Sequence, residues 1–169
     1  MTLRDRLLSL AAAATFSLGV AAALFFGLSS MKAAEAGAAA PRVVKIRAGV
    51  ENAMKFDVTR IDATAGESLK VVLTNAGALP KNVMGHNWVL LTTGADIAAF
   101  AAAAAPEAAK NYLPEKQKEK IVASIDLLGP GESGEAVFKV PNEPGEYPFL
   151  CTFPGHSAIG MKGVLVVKK

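Results

Sequence analysis

From Pro41 onward, apolar and polar residues alternate in short runs, and this alternation constrains the fold more than any other feature of the sequence. An apolar side chain at every second position is typical of strands that bury one face. Glycine, proline and asparagine, which favour turns, separate the runs. Seven or eight short strands at this spacing predict an all-β Greek-key β-sandwich. The runs are Val44 and Ile46; Phe56, Val58 and Arg60 on one face, with Ile61 beginning the other; Leu69, Val71 and Leu73; Ile121, Ala123, Ile125 and Leu127; Ala136, Phe138 and Val140; Tyr147, Phe149 and Cys151; and Val164 and Val166.

One segment departs from the period of two. Residues 95–105 are nearly all alanine, and Ile97 and Phe100 lie three positions apart. Alanine has the highest helix propensity, so we expect a short helical insertion between strands. Thr92 or Thr93 is the expected N-cap, and Pro106 is expected to end the helix. The alternative is an alanine-rich linker without regular structure.

The N-terminal region, residues 1–36, is a separate unit. Arg4 and Arg6 precede an uncharged apolar run over residues 7–28, which places the N-terminus in the cytoplasm. The run is longer than the ~7–15 residues of a usual signal core and close to the ~20 that span a bilayer. Small residues that follow offer cleavage sites. The sequence therefore predicts a hydrophobic helix that is either a cleaved signal peptide or a single-span membrane anchor, with retention slightly favoured.

Both interpretations place the rest of the chain outside the cytoplasm, in the periplasm or on the extracytoplasmic face of the membrane. Residues 37–42 are expected to form an alanine-rich linker, and residues 43–169 a single domain. The formal net charge is +3, and it becomes +2 without the charges of the first 36 residues. A charge this small and scattered argues against binding to nucleic acid.

The rarest residues carry the functional signal. The chain has one cysteine and two histidines. Cys151, His156 and Met161 lie on the connection between two predicted strands, so a thiolate, an imidazole and a thioether converge at one end of the sandwich. The other histidine, His86, starts a further predicted strand. Two imidazoles, a thiolate and a weak axial thioether are the ligands of blue copper electron-transfer sites, whereas zinc sites use four Cys or His ligands, or three and water.

A lone cysteine is ordinarily a small buried hydrophobe, and a lone histidine is ordinarily structural. Here both histidines and the one cysteine fit a single copper scheme, which also explains an unpaired thiol in an oxidising compartment. The segments around these residues resemble azurin, a cupredoxin, over residues 43–169. They read Met84-Gly85-His86-Asn87-Trp88-Val89-Leu90 and Cys151-Thr152-Phe153-Pro154-Gly155-His156-Ser157-Ala158.

Two features differ from azurin. Four residues separate His156 from Met161, one more than in azurin, and this spacing is similar to that of the auracyanins. The azurin disulfide is absent, because Cys151 is the only cysteine. The resemblance implies a cupredoxin-like fold that holds one type 1 copper ion per chain. It implies His86, Cys151 and His156 as equatorial ligands, Met161 as the axial ligand and the Gly85 carbonyl as a weak opposite contact.

The resemblance also implies roles around the ligands. Asn87 is expected to link the His86 strand to the Cys151 loop, and the backbone N–H groups of Asn87 and Phe153 to donate to the thiolate sulfur, which tunes the reduction potential. Trp88 is interpreted as a buried core residue.

The implied function is transfer of single electrons between redox partners, with copper alternating between Cu(II) and Cu(I). A copper chaperone or store is the alternative, although Met-rich and Cys-x-x-Cys ligand sets are absent. A copper enzyme would need a second metal centre with further histidines, so we expect no catalytic activity. Electrons are expected to pass through an exposed edge of His156. Around it we expect a monomer to present an apolar docking patch for redox proteins, made of Leu79, Pro80, Met84, Pro154, Ala158 and Ile159.

Overall fold

The computed structural model describes residues 40–169, so the predicted signal or anchor at residues 7–28 and half of the predicted linker, residues 37–39, lie outside the described residues. The described part contains eight strands in two sheets, as the alternation predicts, with two short helices and three 3-10 turns. No helix in this part is long and apolar enough to cross a membrane. The strands are β1 (Arg42–Ala48), β2 (Arg60–Thr64), β3 (Ser68–Asn75), β4 (His86–Leu91), β5 (Ile121–Leu128), β6 (Ser133–Lys139), β7 (Gly145–Leu150) and β8 (Lys162–Lys168); the helices are α1 (Lys81–Met84) and α2 (Ile97–Ala104); the 3-10 turns are Val50–Asn52, Ala108–Lys110 and Glu115–Lys120.

The sheet topology brings distant parts of the chain together at each end of the sandwich. One sheet has the order β1-β3-β6 and the other β2-β8-β7-β4-β5. The β1–β3 and β2–β8 pairs are parallel, whereas β7 and β8 are antiparallel neighbours. The loop between β7 and β8 therefore starts and finishes at the same end of the sandwich, beside the start of β4.

The core is formed by apolar residues from both sheets. In β3 the residues Leu69, Val71 and Leu73 are fully buried while their neighbours are half-buried, as alternation predicts. Trp88 is also fully buried, with ring centroids 5.5 Å from Phe149 and 6.2 Å from Phe138. The interpretation of Trp88 as a core residue is confirmed.

Two of the predicted strands differ in detail. Phe56 is not part of a strand: it is buried and forms an isolated bridge with Ala48, and β2 begins only at Arg60. In β8 the buried residues are Leu165 and Val167 rather than the valines at positions 164 and 166. Because β8 is an interior strand of its sheet, both of its faces are at least partly covered, and alternation alone does not show which face meets the core.

The alanine-rich segment is a helix, α2, and not an irregular linker. The predicted cap at Thr92 or Thr93 is wrong: Asp96 caps the helix, and its side chain accepts hydrogen bonds from the N–H groups of Ala98 and Ala99. A carboxylate immediately before the first helical residue satisfies N–H groups that the threonines are too far along the chain to reach. Phe100 anchors the helix in a small cluster with Val89, Leu91 and Leu150.

Candidate metal centre

Three potential metal ligands meet at one end of the sandwich, which we call the metal end. His86 is the first residue of β4, Cys151 directly follows β7, and His156 lies in the loop before β8. All three are buried, and their candidate ligand atoms lie within 4.8 Å of one another. The Cys151 Sγ is 3.4 Å from the His156 Nδ1, and the two imidazole centroids are 5.0 Å apart. The structure therefore brings together three side chains that come from distant parts of the sequence.

Met161 is held beside this cluster by backbone hydrogen bonds. The Cys151 N–H donates to the Met161 carbonyl, and the Met161 N–H donates to the His156 carbonyl, each over 3.0 Å. The Met161 side chain is fully buried. The loop that carries the cysteine and the second histidine is thus closed by Met161 itself.

Gly85 lies immediately before His86 in extended backbone. A β-carbon at this position would lie 2.5 Å from the Lys81 carbonyl oxygen and 2.8 Å from the Leu127 Cγ. Only glycine fits such a close approach of neighbouring groups. The absence of a side chain at position 85 therefore keeps the backbone before His86 tightly packed at the metal end.

The His86 ring is suited to a metal ion because both of its nitrogens are buried and neither has a hydrogen-bond partner within the described residues. A buried polar atom without a partner costs about 1–3 kcal/mol. A metal ion that accepts one nitrogen lone pair offsets part of this cost. The set of imidazole, thiolate and imidazole fits copper, which binds such sites in trigonal form.

Burial favours the neutral form of both imidazoles in the cluster. Burial lowers the pKa of His86 to about 4, and the neighbouring His156 contributes to the shift. Burial also lowers the pKa of His156 to about 4. Both imidazoles are therefore neutral near pH 7, as metal ligands must be.

The cysteine is shifted in the opposite sense. Burial raises the pKa of the Cys151 thiol to about 12, although backbone N–H groups of Asn87 and Phe153 donate to its sulfur and partly oppose this. These are the two donors that the resemblance implies. In the metal-free protein the group is a thiol near pH 7, and a bound metal ion displaces its proton.

Asn87 links the two ligand-bearing segments, as the resemblance implies. Its Oδ1 accepts from the Thr152 N–H over 2.8 Å, and its Nδ2 donates to the Thr152 Oγ1 over 2.6 Å. Both residues are buried. The start of β4 and the end of β7 are therefore joined directly next to His86 and Cys151.

The network extends to a pair of residues that sequence reasoning missed. The Asn111 carbonyl accepts from Asn87, and the Tyr112 carbonyl accepts from the Thr152 hydroxyl. Both Asn111 and Tyr112 have positive φ, near 55°, which is unfavourable for residues other than glycine. Backbone carbonyls leave no signature in the sequence, so only the fold shows that this segment holds the ligand loop.

The prediction that an edge of the His156 ring is exposed is wrong. Only 2% of the residue is exposed, because Phe153 covers the ring with a centroid separation of 4.6 Å. Of the six residues predicted for the apolar docking patch, five are exposed and Met84 is half-buried. Val83, which is 55% exposed and was not predicted, also belongs to this end.

A buried His–Cys–His cluster at the end of a two-sheet sandwich defines a copper-binding class of protein. Residues 43–168 match the family described as copper binding proteins, plastocyanin/azurin family. Azurin of Pseudomonas fluorescens biotype C is 40% identical over 128 residues, which cover 73% of this chain and 98% of that protein. Auracyanin-B of Chloroflexus aurantiacus is 35% identical over 127 residues, which cover 75% of this chain and 52% of that protein.

Solved structures give the same result. Auracyanin A, a "blue" copper protein from Chloroflexus aurantiacus, matches with a TM-score of 0.67 and 34% identity, over 76% of this chain and 100% of that one. Auracyanin of Roseiflexus castenholzii matches with a TM-score of 0.66 and 34% identity, over 77% and 99%. The chain therefore belongs to the plastocyanin/azurin family of copper-binding proteins. Its His86, Cys151 and His156 cluster fits one type 1 copper ion.

Proposed function

We propose that this protein carries single electrons between redox partners outside the cytoplasm and that it catalyses no reaction of its own. The observation that supports this most directly is the buried cluster of His86, Cys151 and His156 with its unpartnered imidazole nitrogens. In this proposal the three side chains are the equatorial copper ligands. Met161 is the axial ligand, and the Gly85 carbonyl makes a weak contact on the opposite side.

Bound copper supplies a one-electron couple between Cu(II) and Cu(I). In this proposal the residues around the copper ion keep the same positions in the Cu(II) and Cu(I) states. The Asn87 and Thr152 hydrogen bonds fix the spacing of the two ligand segments, and the fully buried Cys151 excludes water from the sulfur. N–H donors to a thiolate stabilise its negative charge and so tune the potential. A site that moves little on electron transfer needs little reorganisation.

Met161 and Gly85 receive their roles from placement beside the cluster. The Met161 backbone is bonded to both Cys151 and His156, and its buried thioether is a soft donor of the kind that copper accepts. Gly85 precedes His86 directly, so its carbonyl belongs to the peptide that enters the ligand strand. Both assignments depend on copper occupying the cluster.

We propose that redox partners dock on the exposed apolar residues of the metal end. Leu79, Val83 and Ile159 are 38%, 55% and 60% exposed, and Pro80, Pro154 and Ala158 are also exposed. An apolar patch supports brief contacts with small buried area, which suits rapid exchange of partners. His156 is buried at this end, and its Nδ1 lies 3.4 Å from the Cys151 sulfur.

The location is proposed from the sequence. The basic residues Arg4 and Arg6 before the apolar run of residues 7–28 favour export of the domain to the periplasm or the outer face of the membrane. Mass measurement of the protein recovered from cells distinguishes a cleaved signal from a retained anchor. Recovery of the intact chain from the cytoplasm would contradict export.

The central test of the function is the colour of the copper-loaded protein. We expect an intense visible band, with reversible one-electron voltammetry. Cys151→Ser should abolish the band and keep the far-ultraviolet circular dichroism of the fold, because it removes the thiolate and little volume. Ala158→Ser, an exposed change in the same loop, is the matched control and should keep the band.

Met161→Leu extends this test to the axial position. It should keep the colour and raise the reduction potential, because loss of a thioether donor disfavours Cu(II). A colourless wild-type protein contradicts the blue copper assignment. Release of copper on each reduction would instead support a chaperone or store.

The docking surface is tested by electron self-exchange between Cu(I) and Cu(II) molecules, followed by nuclear magnetic resonance line broadening. Ile159→Asp should slow the exchange at least about tenfold, since two copies then bring like charges together. Val137→Asp is the matched control, because Val137 is 57% exposed but lies on β6. Equal rates in the two variants would place docking elsewhere.

A further inference from the structure

The backbone that leaves β1 lies directly against the ring of His86. Gly49 follows Ala48, the last residue of β1, and has φ of 70°. A β-carbon at position 49 would lie 2.7 Å from the His86 Nε2 and 3.0 Å from its Cδ2. Non-bonded carbon contacts are ordinarily about 3.5–4.0 Å. The backbone and the ring therefore fit together only because residue 49 has no side chain.

This contact determines which edge of the His86 imidazole faces the Gly49 backbone and which edge faces away from it. In the ring, Nδ1 lies opposite the Nε2–Cδ2 bond. With that bond against Gly49, Nδ1 is the nitrogen that faces away from the Gly49 backbone. The ring is fully buried and neither nitrogen has a hydrogen-bond partner among the described residues. Packing against Gly49, rather than a hydrogen bond, therefore holds the orientation of His86.

The Asn75 amide packs against the same side of Gly49 as the His86 ring. Asn75 is 1% exposed, and a β-carbon at Gly49 would lie 3.1 Å from its Oδ1. The same Oδ1 accepts from the Gly77 N–H over 2.9 Å. The Nδ2 of Asn75 donates over 3.0 Å to the carbonyl of Leu128, the residue that pairs with His86 in the sheet. The space that a side chain at position 49 would need is thus taken by both the His86 ring and the Asn75 amide.

We propose that Gly49 is a positioning residue for His86: its bare α-carbon fixes the ring orientation that presents Nδ1 to copper, and Asn75 keeps Gly49 in place. This inference rests on the proposed copper site. A methyl group at position 49 has to displace the ring, and a displaced ring weakens the metal site and changes its geometry.

Gly94 provides a matched control. Its φ is 71°, and a β-carbon there would meet no atom within 4 Å. Gly49→Ala and Gly94→Ala therefore impose similar backbone strain, but only the first pushes on His86. We expect Gly49→Ala to lower the Cu(I) affinity at least about tenfold relative to Gly94→Ala, as loss of a ligand-orienting contact commonly does. The copper hyperfine splitting in spin resonance should also change in Gly49→Ala alone.

Equal affinities and equal spectra in the two variants overturn the inference. If Gly49→Ala does not fold, the wild-type protein loaded with diamagnetic Cu(I) gives a second measurement. A nuclear Overhauser contact between the Gly49 α-protons and the His86 Hδ2 is expected, and its absence overturns the inference. A copper-loaded wild-type protein that is not blue refutes the proposed function itself. A blue wild-type protein whose Gly49→Ala and Gly94→Ala variants have equal copper affinities and equal spectra refutes only the role of Gly49.

Discussion

The two ends of the sandwich place their polar groups differently. The metal end contains every buried polar side chain in the described part of the chain: Asn75, His86, Asn87, Thr152, His156 and Ser157. At the opposite end, which we call the far end, Arg42 pairs with Glu67 over 2.6 Å and Lys168 with Asp62 over 2.9 Å, and these side chains are at least partly exposed. β1 and β8 connect the two ends, because each runs from one to the other.

Backbone strain follows the same division. Among the described residues, the non-glycine positions with positive φ are Glu51, Asn52, Asn111 and Tyr112. The first two follow Gly49, and the last two present their carbonyls to Asn87 and Thr152. Strain of this kind persists only where the surrounding structure imposes it, and it concentrates at functional sites. The metal end therefore keeps strained backbone and buried polar groups that lower the stability of the fold but fix a geometry, whereas the far end places its charged side chains at the solvent.

Removal of the metal should have the largest effect, and its local part should be greatest at the metal end. At free copper a thousand times the dissociation constant, binding stabilises the fold by about 4 kcal/mol, so the metal-free protein should unfold at correspondingly lower urea. Amide hydrogen exchange through local opening should quicken more around His86 and Cys151 than around the buried Ala63, which follows global unfolding. Uniform quickening would show that the two ends are not separate.

The pH dependence of metal affinity should be the next largest effect. Burial raises the pKa of Cys151 to about 12, so the metal-free protein carries a thiol between about pH 6 and 8, and binding releases one proton. The imidazole pKa values of about 4 add no proton release in this range. Affinity should therefore rise about tenfold per pH unit as pH increases, about a hundredfold in all.

Calorimetry with zinc, which has no redox chemistry, measures this slope. Hydrogen bonds from Arg60 and Lys168 lower the pKa of Asp62 to about 2, so this far-end group stays ionised throughout. Asp62→Asn should therefore leave the slope unchanged. An affinity independent of pH would mean that Cys151 is not the group that loses the proton.

The smallest expected effect is on the free energy of unfolding, and it is measured by replacing one polar residue at each end. Asn87→Ala leaves the buried N–H of Thr152 without its acceptor, so the free energy of unfolding of the metal-free protein should fall by about 1–3 kcal/mol. Asp62→Asn breaks exposed ion pairs that water and salt already screen, and its urea midpoint should move far less. Comparable losses in both variants would contradict the division between the ends.

The sequence predicts the ligand cluster well because rare residues identify it. One cysteine and two histidines leave few combinations, and the loop spacing from Cys151 to Met161 limits them further. The strands are similarly predictable, since alternation is a local property. The strands follow from it, and the helical insertion follows from the alanine-rich run. The position of Phe56 outside a strand, the buried face of β8 and the Asp96 cap do not.

The groups that orient the ligands are less predictable, because they depend on long-range proximity. In the sequence, asparagine indicates only a turn, yet the Asn75 side chain donates to the carbonyl of Leu128, the strand partner of His86. The carbonyls of Asn111 and Tyr112 act through backbone that any residue provides. The covered position of His156 depends on how Phe153 packs, which no local pattern encodes.

The parallel pairing of β2 with β8 has a consequence for how the molecule is made. Arg60 aligns with Val164, so β2, which is synthesised early, can pair only after β8, the last strand, has been synthesised. Contacts between such distant residues close slowly. During synthesis His86 therefore emerges long before Cys151 and Met161, and a newly made chain has no site to load until its C-terminal strand is in place. A metal ion can therefore be bound by the full set of ligands only after the whole domain has been synthesised.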